Sequence, residues 1–251
     1  MASRRITARS ALYLYGVSKS AGRKPGKIAA TGIDGIHPVE SLPCDGYLCW
    51  VSAVDGKGFS DSIRSDMENL EWLALHSVRH QQVVAEIFTS HSIIPARFGT
   101  IFSGEPALLK NVQARKRELE KVFKKISGAE EWGVKVFAES GPPLPPLRQV
   151  KSGKDYLKLK SARLKQAPDR DSAGLQEFAT ALEKIALDSA PSGKVSGSQP
   201  NLLWQATFLV PGARRKSWEE ALRTFVKKWD RKRRIEVNGP WPPYSFVADA
   251  E

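Results

Sequence analysis

The chain has 251 residues, 41% of them apolar, and a formal net charge of +12. That is length for one large domain or two ordinary ones, with enough apolar side chains for a real core, which excludes a disordered chain. No apolar run approaches the roughly 20 residues of a membrane span, and the basic N-terminus lacks the apolar stretch of a secretory signal; residues 1–9 read as a short disordered basic tail.

Residues 12–17 alternate apolar and aromatic side chains and read as a strand. A Gly- and Pro-containing stretch follows to about residue 46, with room for a short strand near 27–30. Tyr47 to Val54 reads as a strand closed by the turn dipeptide Asp55-Gly56. Ser65 to about Ser90 reads as a helix, with Ser65 and Glu68 as its capping box and Met67, Leu70, Ala74, Val78, Val84 and Phe88 as its apolar stripe. His76 and His80, four apart, share one face of it. They suit packing better than a metal, because the Glu of a zinc-protease helix is missing.

Ile93 to Ser103 reads as an apolar strand containing Gly99, and Arg97 is the only charge between Ile93 and Phe102. An Arg inside such a strand is either buried and paired or on the sheet's solvent face. A helix follows from Pro106 to a stop at Gly128. Trp132 to Phe137 reads as a strand. The loop GPPLPPL at 141–147 has P-x-x-P spacing, which suits an SH3-like ligand or a rigid connection. Helix is expected from about 153 to 165, broken at Pro168 and resumed at Ser172, with the stripe Leu175, Phe178, Ala179, Leu182, Ile185 and Ala186. After a loop at 189–200, Leu202 to Val210 reads as a strand. Ser217 and Glu220 form a second capping box. Trp218, Ala221, Leu222, Phe225, Val226 and Trp229 make the strongest amphipathic stripe in the chain. Arg234 to Val237 is a last short strand. The order of elements in the second half suits an α+β sandwich with helices on one face of a mainly antiparallel sheet.

The chain ends in Gly239-Pro240-Trp241-Pro242-Pro243-Tyr244-Ser245-Phe246. Three prolines stiffen this segment and withhold three donors. Its three rings offer large apolar faces, for docking on the chain's own domain or for a partner.

Chemistry-bearing motifs are scarce. No phosphate-binding glycine loop or nucleophile elbow occurs. Cys44 and Cys49, with His37 near, supply half of a zinc set, but no second pair follows. Catalytic residues, metal ligands and cofactors are therefore none. Residues 212–234 carry a local +7 and residues 110–125 a local +5, which together equal the whole net charge. Such clusters serve an acidic partner or are solvated helix faces. A basic nucleic-acid-binding protein is the alternative reading, drawn from Arg231-Lys232-Arg233-Arg234; zinc fingers and the aromatic RNA-binding signature are missing.

Five blocks in order resemble one family. Leu12-Tyr13-Leu14-Tyr15-Gly16 resembles its opening strand and Ile94-Pro95-Ala96-Arg97-Phe98-Gly99-Thr100-Ile101-Phe102 its central P-x-R-F-G-T strand. Glu131 to Val136 resembles its E-W-G-V-K-V strand, Gly153 to Leu157 its G-x-x-Y-L helix start, and GPWPPYSF its closing signature. The family is that of gas vesicle proteins F and L, and the blocks do not separate an F-like from an L-like member. The resemblance implies an α+β chain of two domains, 10–128 and 129–251, the second a modified ferredoxin-like sandwich with an extra helix. It implies a minor, non-catalytic, cytoplasmic gas vesicle protein that binds the shell subunit GvpA and other gas vesicle proteins, and no membrane. Arg97, Phe98, Trp241, Pro242, Pro243, Tyr244 and Phe246 are the partner-binding candidates.

Overall fold

In this computed structural model the described residues are 10–20, 22, 27–55, 69–139, 152–165, 172–191, 199 and 201–247. The basic tail, the Ser65–Glu68 capping box, the Pro-rich loop and the break at Pro168 lie outside them. The chain divides into two compact units, Met1–Glu130 with Trp241–Glu251, and Glu131–Pro240. The family resemblance places the boundary at 128/129 and keeps the last residues in the second half, where the residues alone suggest a cut at the prolines near 141. In the compact units the terminal segment groups with the first.

The first unit is built on a six-stranded sheet. Its strands are β1 (Ser10–Lys19), β2 (Lys27–Thr31), β3 (Pro38–Cys44), β4 (Tyr47–Asp55), β5 (Ile93–Pro95) and β6 (Ile101–Phe102). The order is β2-β3-β4-β1-β5, with β6 also on β1. The strand β3 is not legible in the sequence, because Pro38, Pro43 and two polar residues break its alternation. β1 runs antiparallel to β4 along its length and to β5 and β6 on its other edge. A bulge between Leu14 and Gly16 shifts its register. There a Cβ on Gly16 would meet the Ile94 carbonyl at 2.6 Å, so only glycine lets the two strands approach.

Helix α1 (Leu70–Phe88) packs on one sheet face. Asn69 caps it, accepting from the Glu71 and Trp72 amides. The expected stripe is corrected. The buried side holds His76, His80, Val83, Val84 and Ile87, while Leu70 and Val78 are 78% and 54% exposed. Its Glu86 carboxylate accepts from the backbone amides of Ala29 and Ala30 in β2, supplying the edge strand with partners that the ladder does not. The expected single helix after Pro106 is two, α2 (Glu105–Ala114) and α3 (Lys116–Ile126), separated at Arg115. Phe123 of α3 stacks on Tyr47 of β4, ring centroids 5.8 Å apart. Strand alternation puts Tyr47 on the face opposite Trp50, which belongs to the α1 side. The first unit therefore has helices on both sheet faces.

The second unit has β7 (Ala129–Ala138), β8 (Asp188–Pro191), β9 (Leu202–Pro211) and β10 (Arg233–Trp241) in the order β10-β7-β9-β8. Helices α4 (Gly153–Lys165) and α5 (Ser172–Glu183) lie between β7 and β8, and α6 (Arg215–Trp229) between β9 and β10. Phe178 and Leu182 of α5 and Trp218, Leu222, Phe225 and Trp229 of α6 pack with Val134, Val136, Phe208 and Val210 of the sheet, as their spacing predicts. Ser217 does not cap α6. The helix starts two residues earlier, and its N-cap, Arg214, makes no side-chain capping bond.

Candidate functional site

The expected strand Ile93 to Ser103 is interrupted. β5 stops at Pro95 and β6 starts at Ile101, with a turn between them. Gly99 takes φ 85, in the left-handed region that glycine enters without strain. The Thr100 amide and hydroxyl both donate to the Arg97 carbonyl, at 3.2 and 2.7 Å. The Ala96 amide donates to Tyr15 O and the Leu14 amide to Thr100 O, so each side of the turn is tied to β1. The P-x-R-F-G-T block is thus a fixed turn and not a strand interior. Its apolar composition concealed this, because Phe98 faces inward from the turn.

Phe98 sits edge-on to Tyr13, Trp72 and His80, with centroids 6.4, 6.4 and 6.0 Å away. Beneath it Tyr13 is fully buried and His80 is 2% exposed. The Tyr13 hydroxyl accepts from the Gly99 amide at 3.1 Å and lies 2.9 Å from His80 Nδ1. Burial pushes His80 down to about 4, against an upward pull from the Ala96 backbone. Burial also holds Tyr13 well above the ordinary phenol range, although the Gly99 amide opposes it. Next to it, Tyr15 accepts from the Ile33 amide at 2.6 Å and meets Ser52 Oγ at 2.8 Å; burial raises it to about 12. Groups sealed in this way act as struts: they fix the turn's position on β1 and α1.

The terminal segment reaches the same cluster. Tyr244 packs, partly buried, against the core that also receives Phe98. Pro242 and Pro243 are buried, and the Tyr244 and Phe246 amides donate to the Pro242 and Pro243 carbonyls. Phe246 is buried with the Lys125 ammonium 5.5 Å from its ring centroid. At the start of the segment Gly239 has φ 140, and a Cβ there would meet the Glu131 carbonyl at 2.7 Å. The glycine of the closing signature is therefore a steric requirement.

Of the sequence candidates, the structure brings Phe98 and Tyr244 onto one core. Phe246, Pro242 and Pro243 are buried packing residues. Trp241 is 48% exposed. Arg97 is exposed on the turn, which corrects its expected place inside a strand. The residues that support this surface, Tyr13, Trp72, His76 and His80, were not among the candidates. Trp72 stacks on His76 with centroids 4.0 Å apart, and its spacing of four before His76 and eight before His80 is the signal that marks this aromatic face. Among the described residues, no group of three or more His, Cys, Asp or Glu side chains could hold a metal ion. Cys44 and Cys49 are free and buried. No described helix is long and apolar enough to cross a membrane.

Residues 11–248 match the family described as "Gas vesicle synthesis protein GvpL/GvpF". The chain belongs to that family. It is 27% identical over 237 residues to gas vesicle protein L of Streptomyces sp. (strain CB03234), covering 88% of this chain and 87% of that protein. It is 22% identical over 258 residues to gas vesicle protein F of Nostoc sp. (strain PCC 7120), covering 95% and 98%. The crystal structure of GvpF from Anabaena sp. PCC7120 superposes with a TM-score of 0.68 at 21% identity, over 95% of this chain and 98% of that one. GvpF from Microcystis aeruginosa does so at 0.64 and 20%, over 94% and 98%. The GvpL/GvpF likeness therefore spans both compact units, and relatives of both the F and the L type share it.

Proposed function

We propose that this gas vesicle protein is a non-catalytic, cytoplasmic subunit that binds the vesicle shell protein GvpA and supports assembly or structure of the wall. The observation that carries this reading is the convergence of two family blocks on one core. The P-x-R-F-G-T turn and the closing signature lie 140 residues apart in sequence, yet Phe98 and Tyr244 pack against the same cluster. A turn and a proline-stiffened segment held this rigidly are preorganised for a partner. Exposed Arg97 and half-exposed Trp241 are the side chains we assign to that contact. A shell subunit that polymerises into ribs must present apolar surface beforehand, and a half-exposed indole on a fixed segment suits such a surface. For the second unit we propose a ferredoxin-like sandwich with one extra helix. The strand order β10-β7-β9-β8 and the succession β7-α4-α5-β8-β9-α6-β10 support it.

The test is co-purification of the full chain with co-expressed shell subunit. Trp241→Ala and Arg97→Ala are expected to fold with an unchanged melting temperature and to lose capture. Unchanged capture by both variants moves the surface elsewhere. Association with nucleic acid alone, lost steeply as salt rises, ends the shell-binding reading.

A further inference from the structure

Lys125 of the basic segment 110–125 lies against Phe246 of the terminal segment, and other residues of that basic segment have a defined place of their own. Lys116, Glu120 and Lys124 stand four apart along α3 and so share one face. That face meets the β3–β4 hairpin. Its two-residue turn, Asp45-Gly46, has φ of 48 and 87, the pair of left-handed residues that a tight hairpin of this twist demands. The Ser20 amide donates to the Gly46 carbonyl at 3.0 Å, which ties the end of β1 to the turn and brings Lys19 beside it. Lys19, Asp45, Tyr47, Lys116, Glu120 and Lys124 then line a cleft of about 360 Å³.

The charges in this cleft are not equivalent. Lys116 Nζ is 3.1 Å from Asp45 Oδ2, so that pair is internally matched. Lys19 Nζ stands 5.6 Å from the centroid of Phe123, which is itself stacked on Tyr47. Among the described residues neither Lys19 nor Lys124 has an ion pair. The floor is a closed aromatic stack, with Tyr47 4% and Phe123 0% exposed, and offers little apolar surface to a ligand. What remains is a pair of ammonium groups on rigid supports, flanked by two carboxylates. An ammonium is a compact point charge without the fork that grips a phosphate in two places.

We propose that this cleft docks an acidic segment of a protein partner, with a single carboxylate between Lys19 and Lys124. None of the residues lining this cleft belongs to the proposed shell-binding surface.

Fluorescein-labelled hexaglutamate titrated onto the full chain at low salt, followed by anisotropy, tests this. The double variant Lys19→Gln/Lys124→Gln should weaken binding by about tenfold, the equivalent of about 1.4 kcal/mol. Lys216→Gln/Lys227→Gln removes the same charge from exposed positions of α6 and should leave binding within about twofold, since distant surface charges are screened. Glu120→Gln should tighten binding, an effect that loss of folding cannot imitate. Equal weakening by the two double variants would reduce the effect to net charge and overturn the proposal. So would absence of hexaglutamate binding, or a DNA duplex of equal charge that displaces the peptide more readily than unlabelled hexaglutamate does.

Discussion

In the first unit Tyr13, Tyr15 and Trp50 each hold a hydrogen-bond partner inside the core, at 2.9, 2.8 and 2.9 Å. In the second unit Phe178 meets Phe225 and Trp229 with centroids 5.0 Å apart, and Phe208 meets Trp218 at 5.1 Å. The first core is therefore held by directional bonds, which fix one register of β1 against α1 and the 97–100 turn. The second is held by shape and area, which tolerate volume-conserving exchange but not loss of volume. The region with the polar core is also the one on which both family blocks converge. Rigidity at defined atoms is what a binding surface needs.

The largest effect expected from breaking this contrast is in the second unit. Phe225 is 6% exposed and touches two other rings, so Phe225→Ala should cost about 3–5 kcal/mol in urea unfolding. A loss under about 1 kcal/mol would mean that the ring is not core.

Acid should act on the first unit. His80 titrates near 4 when folded, against about 6.5 in an unfolded chain. Between those values the unfolded state binds more protons, so stability is full above about 6.5 and falls as the pH drops toward 4. The whole window is worth roughly 3 kcal/mol. Urea midpoints at pH 7.5 and 4.5 measure it. His80→Gln should flatten this part of the profile, and an unchanged slope would show that other groups set it.

Tyr13→Phe keeps the ring but strands the Gly99 amide and His80 Nδ1. The expected loss is about 1–3 kcal/mol, with faster hydrogen exchange at Gly99 as the local readout. A neutral Tyr13→Phe would place the first core in the same class as the second.

The smallest effects separate the helix starts. Asn69→Ala should cost about 1 kcal/mol, because Asn69 caps α1 through two amides. Ser217→Ala should cost close to nothing, since Ser217 lies inside α6 and is exposed. Equal losses would restore the capping box that the sequence suggests at Ser217.

Legibility in the sequence followed the same division. The stripe of α6 is readable because one side is apolar and the other charged, so hydropathy and burial agree. In α1 they disagree: His76 and His80 are buried, while Leu70, Leu75 and Val78 face outward. An imidazole inside the core has a partner that only the fold provides, and no local pattern announces Tyr13 sixty-seven residues away. The 93–103 run misleads for a related reason. Its apolar residues surround a turn that depends on one left-handed glycine. Of the partner candidates, Phe98 comes from the P-x-R-F-G-T resemblance and Tyr244 from the ring-bearing terminal segment, and only the fold could put them on one cluster.

The grouping of Trp241–Glu251 with the opening unit has a consequence for biosynthesis. A ribosome releases residues 10–130 first, yet the ring of Tyr244 that helps to complete their core emerges only after the second unit. The second unit, continuous in the chain, can finish folding while the first still waits for its final piece. A chain stalled before residue 241 would thus carry a finished second unit and an unsealed first one, so the 97–100 turn becomes fully supported only after the second unit has been made.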